Sequence, residues 1–178
     1  MPITLIGYRG SGKTTVARPL AQRLLWDWVD ADTVIEQRAG CSIRDMFAQQ
    51  GEPAFRDLER QVMADLLIQD KLVIAAGGGA ILNAETRARV KQAGPVIWLQ
   101  ASLSTLQSRI AADATTTERR PNLTNQGGLA EIAQVLAIRE PLYRECATLT
   151  IDTDLTAMPD IVEQIVRHLI NHKSIQSC

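Results

Sequence analysis

Gly7-Tyr8-Arg9-Gly10-Ser11-Gly12-Lys13-Thr14 is the stretch on which the reading of this chain turns. It fits G-x-x-x-x-G-K-[ST], the phosphate-loop pattern. Before it stands Ile3-Thr4-Leu5-Ile6, a short apolar run rich in β-branched residues. After it Val16, Leu20 and Leu24 recur at the four-residue spacing of a helix. Strand, glycine loop and helix, in that order, make an anion cradle. The glycines let backbone N–H groups turn inward, and the helix start adds free N–H groups and the positive end of its dipole. In such a cradle Lys13 reaches the β- and γ-phosphates and the Thr14 hydroxyl ligates Mg²⁺. Gly10, Ser11 and Gly12 supply the backbone, and Thr15 suits either a further phosphate contact or an ordinary helix position. Binding of a nucleoside triphosphate, with Mg²⁺, is therefore expected. Pro19 falls in the second turn of the helix and removes the donor to the Thr15 carbonyl, so a local kink is expected there.

Outward from the loop, apolar strands alternate with helices. Trp28-Val29 reads as a strand closed by Asp30, and Thr33 to Ala39 as a helix ended by Gly40. Ser42 opens another helix, with Asp45 three residues on as a near capping box. Phe55, Leu58, Val62 and Leu66 mark one face of a longer one. Leu72 to Ala76, Pro95 to Leu99 and Leu149 to Asp152 read as strands. Asn83 and Ser102 can cap helices through about Ala93 and Ala112. Leu129 to Tyr143 and Met158 to Leu169 are further helices. Ala114 to Gln126 is polar, rich in threonine and without periodicity, which reads as a mobile loop. This alternation implies an α/β fold with a parallel sheet covered on both faces. Ligands of such sheets lie beyond the carboxyl ends of the strands. Gly7 to Gly12, Asp30 to Asp32 and Gly77 to Gly79 all fall at such ends.

Composition bounds the rest. A chain of 178 residues is about one domain. A net charge of −1 argues against a protein that holds nucleic acid by bulk electrostatics. An apolar fraction of 46% excludes general disorder. No apolar run has the length of a membrane helix, and the start lacks the pattern of a signal peptide. Cys41, Cys146 and Cys178 are odd in number and far apart, which favours reduced thiols in a cytoplasm over a disulfide framework.

A second site is expected beside the phosphate loop. Alternation along an extended Asp30-Ala31-Asp32 puts both carboxylates on one side. One could hold Mg²⁺ through water, and the other accept a hydroxyl from a substrate. The triplet Gly77-Gly78-Gly79 weakens a strand end unless a ligand or another backbone approaches closely. Arg56, Arg139, Arg144 and Arg119-Arg120-Pro121 are each commonplace as solvated charges. Together they suit a small anionic substrate and developing phosphoryl charge. No N-K-x-D tetrad is present, so a GTPase is disfavoured.

From roughly Ile3 to Ile170 the chain resembles the shikimate kinases. The shared landmarks are G-Y-R-G-S-G-K-T-T at Gly7 to Thr15, V-D-A-D at Val29 to Asp32, F-R-D-L-E at Phe55 to Glu59, A-G-G-G at Ala76 to Gly79, R-R-P-N-L-T at Arg119 to Thr124 and R-E-P-L-Y-R at Arg139 to Arg144. The resemblance implies a three-layer α/β/α P-loop kinase with a five-stranded parallel sheet and a mobile lid at about 112–126, in one domain over residues 1–172 with a frayed tail at 173–178. It implies transfer of the ATP γ-phosphate to the 3-hydroxyl of shikimate, on the way to chorismate and the aromatic amino acids. By position, Lys13 and Thr14 would handle phosphates and Mg²⁺, and Asp30 would support the Mg²⁺ shell through water. Asp32 would orient the reacting hydroxyl. Arg56 and Arg139 would clamp the carboxylate, and Gly77, Gly78 and Gly79 would meet the ring hydroxyls. Arg120 would close over the phosphates, and Arg109 would lie near adenine, as would the loop from Thr153 to Leu155. A cytoplasmic monomer with no nucleic-acid or membrane partner is expected. The rival readings are another small P-loop kinase acting on gluconate or a nucleotide, and a nucleotide-binding module without kinase activity.

Overall fold

Alternation within the strands sets the layers. The computed structural model describes residues 1–113 and 128–176, with side chains up to Asn171. The lid expected at about 112–126, with Arg120, lies almost wholly outside the described residues, as do residues 177–178. Five strands, β1 (Ile3–Ile6), β2 (Asp27–Asp30), β3 (Leu72–Ala75), β4 (Val96–Gln100) and β5 (Leu149–Asp152), form one sheet in the order β2-β3-β1-β4-β5. Every pairing is parallel. Successive side chains of a strand point to opposite faces. Ile3, Leu5, Val73, Ala75, Ile97 and Leu99 therefore join one core cluster, and Ile6, Leu72, Ile74, Val96 and Trp98 the other.

The first cluster is closed by α1 (Lys13–Leu24) and the last helix, α7 (Met158–Gln176). The second is closed by α2 (Ala31–Ala39), α3 (Ile43–Leu67), α4 (Ala84–Ala93) and α6 (Gly128–Cys146). Helix α5 (Leu103–Ala112) follows β4 and buries Leu106. Ser42, Asn83 and Ser102 cap α3, α4 and α5, each accepting a hydrogen bond from the N–H three residues on. No helix among the described residues is long and apolar enough to cross a membrane. Cys41 and Cys146 are free thiols.

Helix α1 runs from Lys13 to Leu24 with Pro19 in its interior. Val16, Ala17, Leu20 and Ala21 are buried on both sides of the proline. Burying Val16 and Leu20 contributes roughly 3–6 kcal/mol together, against ~3 kcal/mol lost to an interior proline. Helix α2 begins at Ala31, two residues before the expected start, because Asp30 caps it. Helix α3 divides at Gly51, non-helical at φ 80° and ψ 171°, into the two helices expected, one opened by Ser42 and a longer one carrying Phe55, Leu58, Val62 and Leu66. Pro53 follows in the first turn of the restarted helix, where its missing N–H has no partner to lose. Helix α7 runs to Gln176, past Leu169 and into the segment expected to fray.

Candidate active site

The carboxyl ends of β1, β2 and β3 open onto a common rim. At β1 the chain enters the phosphate loop, and Gly12 caps α1 at φ 94°, a backbone state that disfavours residues with a Cβ. Lys13 folds over the loop, with Nζ donating to the carbonyls of Gly7 and Tyr8 at 2.9 Å each. Ser11 Oγ is buried and has no hydrogen-bond partner among the described residues. Thr14 Oγ1 donates to Asp30 Oδ2 at 2.6 Å.

Asp30 has a second task. Its Oδ1 accepts from the Asp32 N–H at 3.0 Å, which caps α2. Asp32 is therefore in the first helical turn and not on an extended segment, which corrects the alternation argument for the pair. The two carboxylates still converge, since both line the same cavity.

That cavity, of about 650 Å³, is lined by Gly10, Ser11, Gly12, Lys13, Thr14, Thr15, Asp30, Asp32 and Arg109, among others. Its volume is in the range of small-molecule and cofactor sites. At its far end Arg109 ties the phosphate loop to the segment after β5. Its Nη1 donates to the Gly10 carbonyl at 3.4 Å and to Thr153 Oγ1 at 3.0 Å, and its Nη2 to the Thr153 carbonyl at 3.1 Å. A smaller chamber of about 60 Å³ adjoins it, lined by Arg56, Glu59, Gly77, Gly78, Gly79, Arg139, Phe47 and Phe55. Asp32, Arg9 and Ile43 line both.

The glycine triplet is explained by close approach. A Cβ on Gly77 would lie 2.8 Å from both Asp32 Oδ1 and Glu59 Oε1, and one on Gly79 only 2.5 Å from Arg56 Nη1. The Gly78 carbonyl accepts from Arg139 Nη1 at 3.1 Å and from the Tyr143 hydroxyl at 2.6 Å. Burial pushes the Tyr143 phenol far up, so it stays a protonated donor. Arg139 is 7% exposed, and its guanidinium carbon lies 5.9 Å from the Tyr8 ring centroid.

Arg56 rides on the arm of α3 that restarts after Gly51. Its Nη1 donates to Glu59 Oε2 at 2.7 Å, and its Nε and Nη2 to Glu52 Oε1 at 3.1 and 2.9 Å. Glu59 is 4% exposed, and burial raises its carboxyl above the usual range against the pull of Arg56. The pair thus holds the guanidinium in the lining of the chamber, next to the Phe55 ring at 5.0 Å.

Sequence reasoning missed Glu59, Glu52, Arg9 and Tyr143. The three- and four-residue spacings of Glu52, Arg56 and Glu59 were a usable signal, being those of ion pairs on one helix face. Arg9 carried none, because the motif leaves that position open.

The family model for shikimate kinase matches residues 9–170. A shikimate kinase of Rhodopirellula baltica is 44% identical over 163 residues, which is 92% of this chain and 87% of that protein. One of Symbiobacterium thermophilum is 41% identical over 169 residues, 95% of this chain and 96% of that protein. The structure of shikimate kinase from Acinetobacter baumannii in complex with shikimate superposes with a TM-score of 0.89 at 36% identity, covering 97% of this chain and 94% of that one. With the parallel sheet, the phosphate cradle and the guanidinium-lined chamber in place, the chain belongs to the shikimate kinase family.

Proposed function

We propose that this chain transfers the γ-phosphoryl group of ATP to the 3-hydroxyl of shikimate, giving shikimate 3-phosphate and ADP. The observation that carries the reading is the junction of the two chambers at Asp32. A carboxylate there faces a triphosphate cradle on one side and a pair of arginines on the other. ATP occupies the larger chamber, with its phosphates on Gly10 to Thr15 and its base toward Arg109 and Thr153. Shikimate occupies the smaller one, with its carboxylate on Arg56 and Arg139. Two guanidiniums held by partners of their own give charge-assisted, geometrically fixed hydrogen bonds to a carboxylate. Gly77 to Gly79 let the ring approach the backbone.

Asp32 takes the proton of the acceptor hydroxyl as its oxygen attacks the γ-phosphorus, and ADP leaves. Lys13 is within the cradle to offset charge on the β- and γ-phosphates. The site fits Mg²⁺, since Thr14 Oγ1 and Asp30 Oδ2 are hard oxygen donors lying together at the mouth of the cradle. Thr14 would hold the ion directly and Asp30 through water. When bound, it neutralises phosphate charge.

ATP chemistry beside free thiols supports a cytoplasmic setting. The test is a coupled assay of ADP release with Mg²⁺, offering shikimate, gluconate and nucleoside monophosphates in turn. Turnover is expected with shikimate. Faster turnover on either competitor reverses the assignment, and ATP binding without any shikimate-dependent release reduces the chain to a binding module.

A further inference from the structure

Arg9 occupies a position that the phosphate-loop motif leaves open, yet it lines both chambers beside Asp32. Its side chain is only 12% exposed, and Nη2 lies 3.3 Å from Glu131 Oε1. Glu131 is 1% exposed, in the first turn of α6. The Nε–H of Arg9 is buried with no hydrogen-bond partner among the described residues. A guanidinium stays charged and presents its donors in a rigid fork. Leaving a buried donor unmet is unfavourable unless an acceptor arrives. The acceptor that suits this place is an anion passing between the chambers.

We infer that Arg9 contacts the transferring phosphoryl group and that Glu131 is the positioning residue that fixes its fork. The inference rests on the proposed transfer. In that step the bond from the γ-phosphorus to the β,γ-bridging oxygen breaks, and its electron pair leaves with ADP. A new bond forms from phosphorus to the acceptor oxygen, whose proton passes to Asp32. Arg9 enters none of these bonds. Charge spread over the equatorial oxygens in transit meets a cation already in place, so the transition state gains more than either ground state. The same loop segment is braced a second time, because the Tyr8 ring lies beneath Arg139 of α6. Residues 8 and 9 together fix the cradle against the helix that carries the acceptor clamp.

The competing role for Arg9 is neutralisation of the buried Glu131 alone. The double variant Arg9→Gln/Glu131→Gln separates the two, since it removes both charges at once and keeps a polar pair. The expected result is a fall in kcat of about 100-fold, with KM for shikimate and for ATP within about threefold of wild type. Calorimetry with Mg²⁺, shikimate, ADP and aluminium fluoride, a mimic of the phosphoryl group in transit, should show binding weakened by about 10-fold or more. Affinity for ADP alone should be unchanged. A double variant with wild-type kcat, or with undiminished affinity for the fluoride complex, overturns the inference. Where circular dichroism shows the double variant unfolded, Arg9→Lys decides on the same two readouts, because it keeps the charge opposite Glu131 and loses the fork. Failure of the underlying reading would look different: wild-type protein would release no ADP with shikimate.

Discussion

The two chambers are built in opposite ways. The triphosphate cradle comes almost entirely from consecutive residues, Gly7 to Thr15, and works largely through backbone N–H groups and a helix start. The acceptor chamber is assembled from side chains on α2, α3 and α6 and the loop after β3, each aimed by a partner: Arg56 by Glu52 and Glu59, Arg139 by Gly78, Asp32 by the cap from Asp30. A backbone device survives many side-chain changes but depends on the Lys13 ammonium folded over it. A side-chain device distributes its work, so single losses should be graded.

That contrast can be broken at the cradle first. Lys13→Ala should lower kcat by about 1,000-fold or more, since it removes the charge set against the phosphates. Shikimate binding, followed by calorimetry, should survive. Survival of turnover would show that the cradle is as redundant as the acceptor side. At the junction, Asp32→Asn should lower kcat by about 100-fold or more while ADP affinity stays near wild type. A parallel loss of ADP affinity would place Asp32 in the cradle instead.

Within the acceptor chamber the effects should be smaller. Arg139→Ala removes one charged hydrogen bond, worth ~1.5–3 kcal/mol, or about 10- to 150-fold in shikimate affinity. KM for ATP should hold, and a shift in it would mean that the contact with the Tyr8 ring matters to the cradle. Glu59→Gln is the finest probe. The raised carboxyl of Glu59 binds its proton more tightly in the folded than in the unfolded chain. Its contribution to stability is therefore fully present below the ordinary glutamate pKa and is lost as pH rises through the raised value. Denaturant titrations should show wild type gaining stability relative to Glu59→Gln as pH falls, until Glu59 is protonated in both folded and unfolded chain. Shikimate KM should rise severalfold in the variant, because Arg56 keeps only Glu52 as a charged partner.

Legibility in the sequence follows the same divide. The cradle was readable because its chemistry is contiguous and glycine-dependent. The layers were readable because strand and helix periods differ. Gly77 to Gly79 signalled a close approach, though Arg56, Asp32 and Glu59 as the approaching groups are a fact of tertiary packing. The break at Gly51 separates the helix opened by Ser42 from the longer one marked by Phe55, Leu58, Val62 and Leu66, which the sequence already presented as two. Pro19 is held inside α1 because burial of Val16 and Leu20 on the sheet offsets the lost donor. The helical setting of Asp32 turned on Asp30 acting as a cap, a choice between loop and helix that strand alternation does not address. Arg9 and Glu131 stand 122 residues apart, and no local pattern joins them.

Asp30 carries a last implication. One carboxylate receives the Thr14 hydroxyl and also starts the helix on which Asp32 stands. On the proposed mechanism, holding the metal and placing the base would both depend on this one side chain.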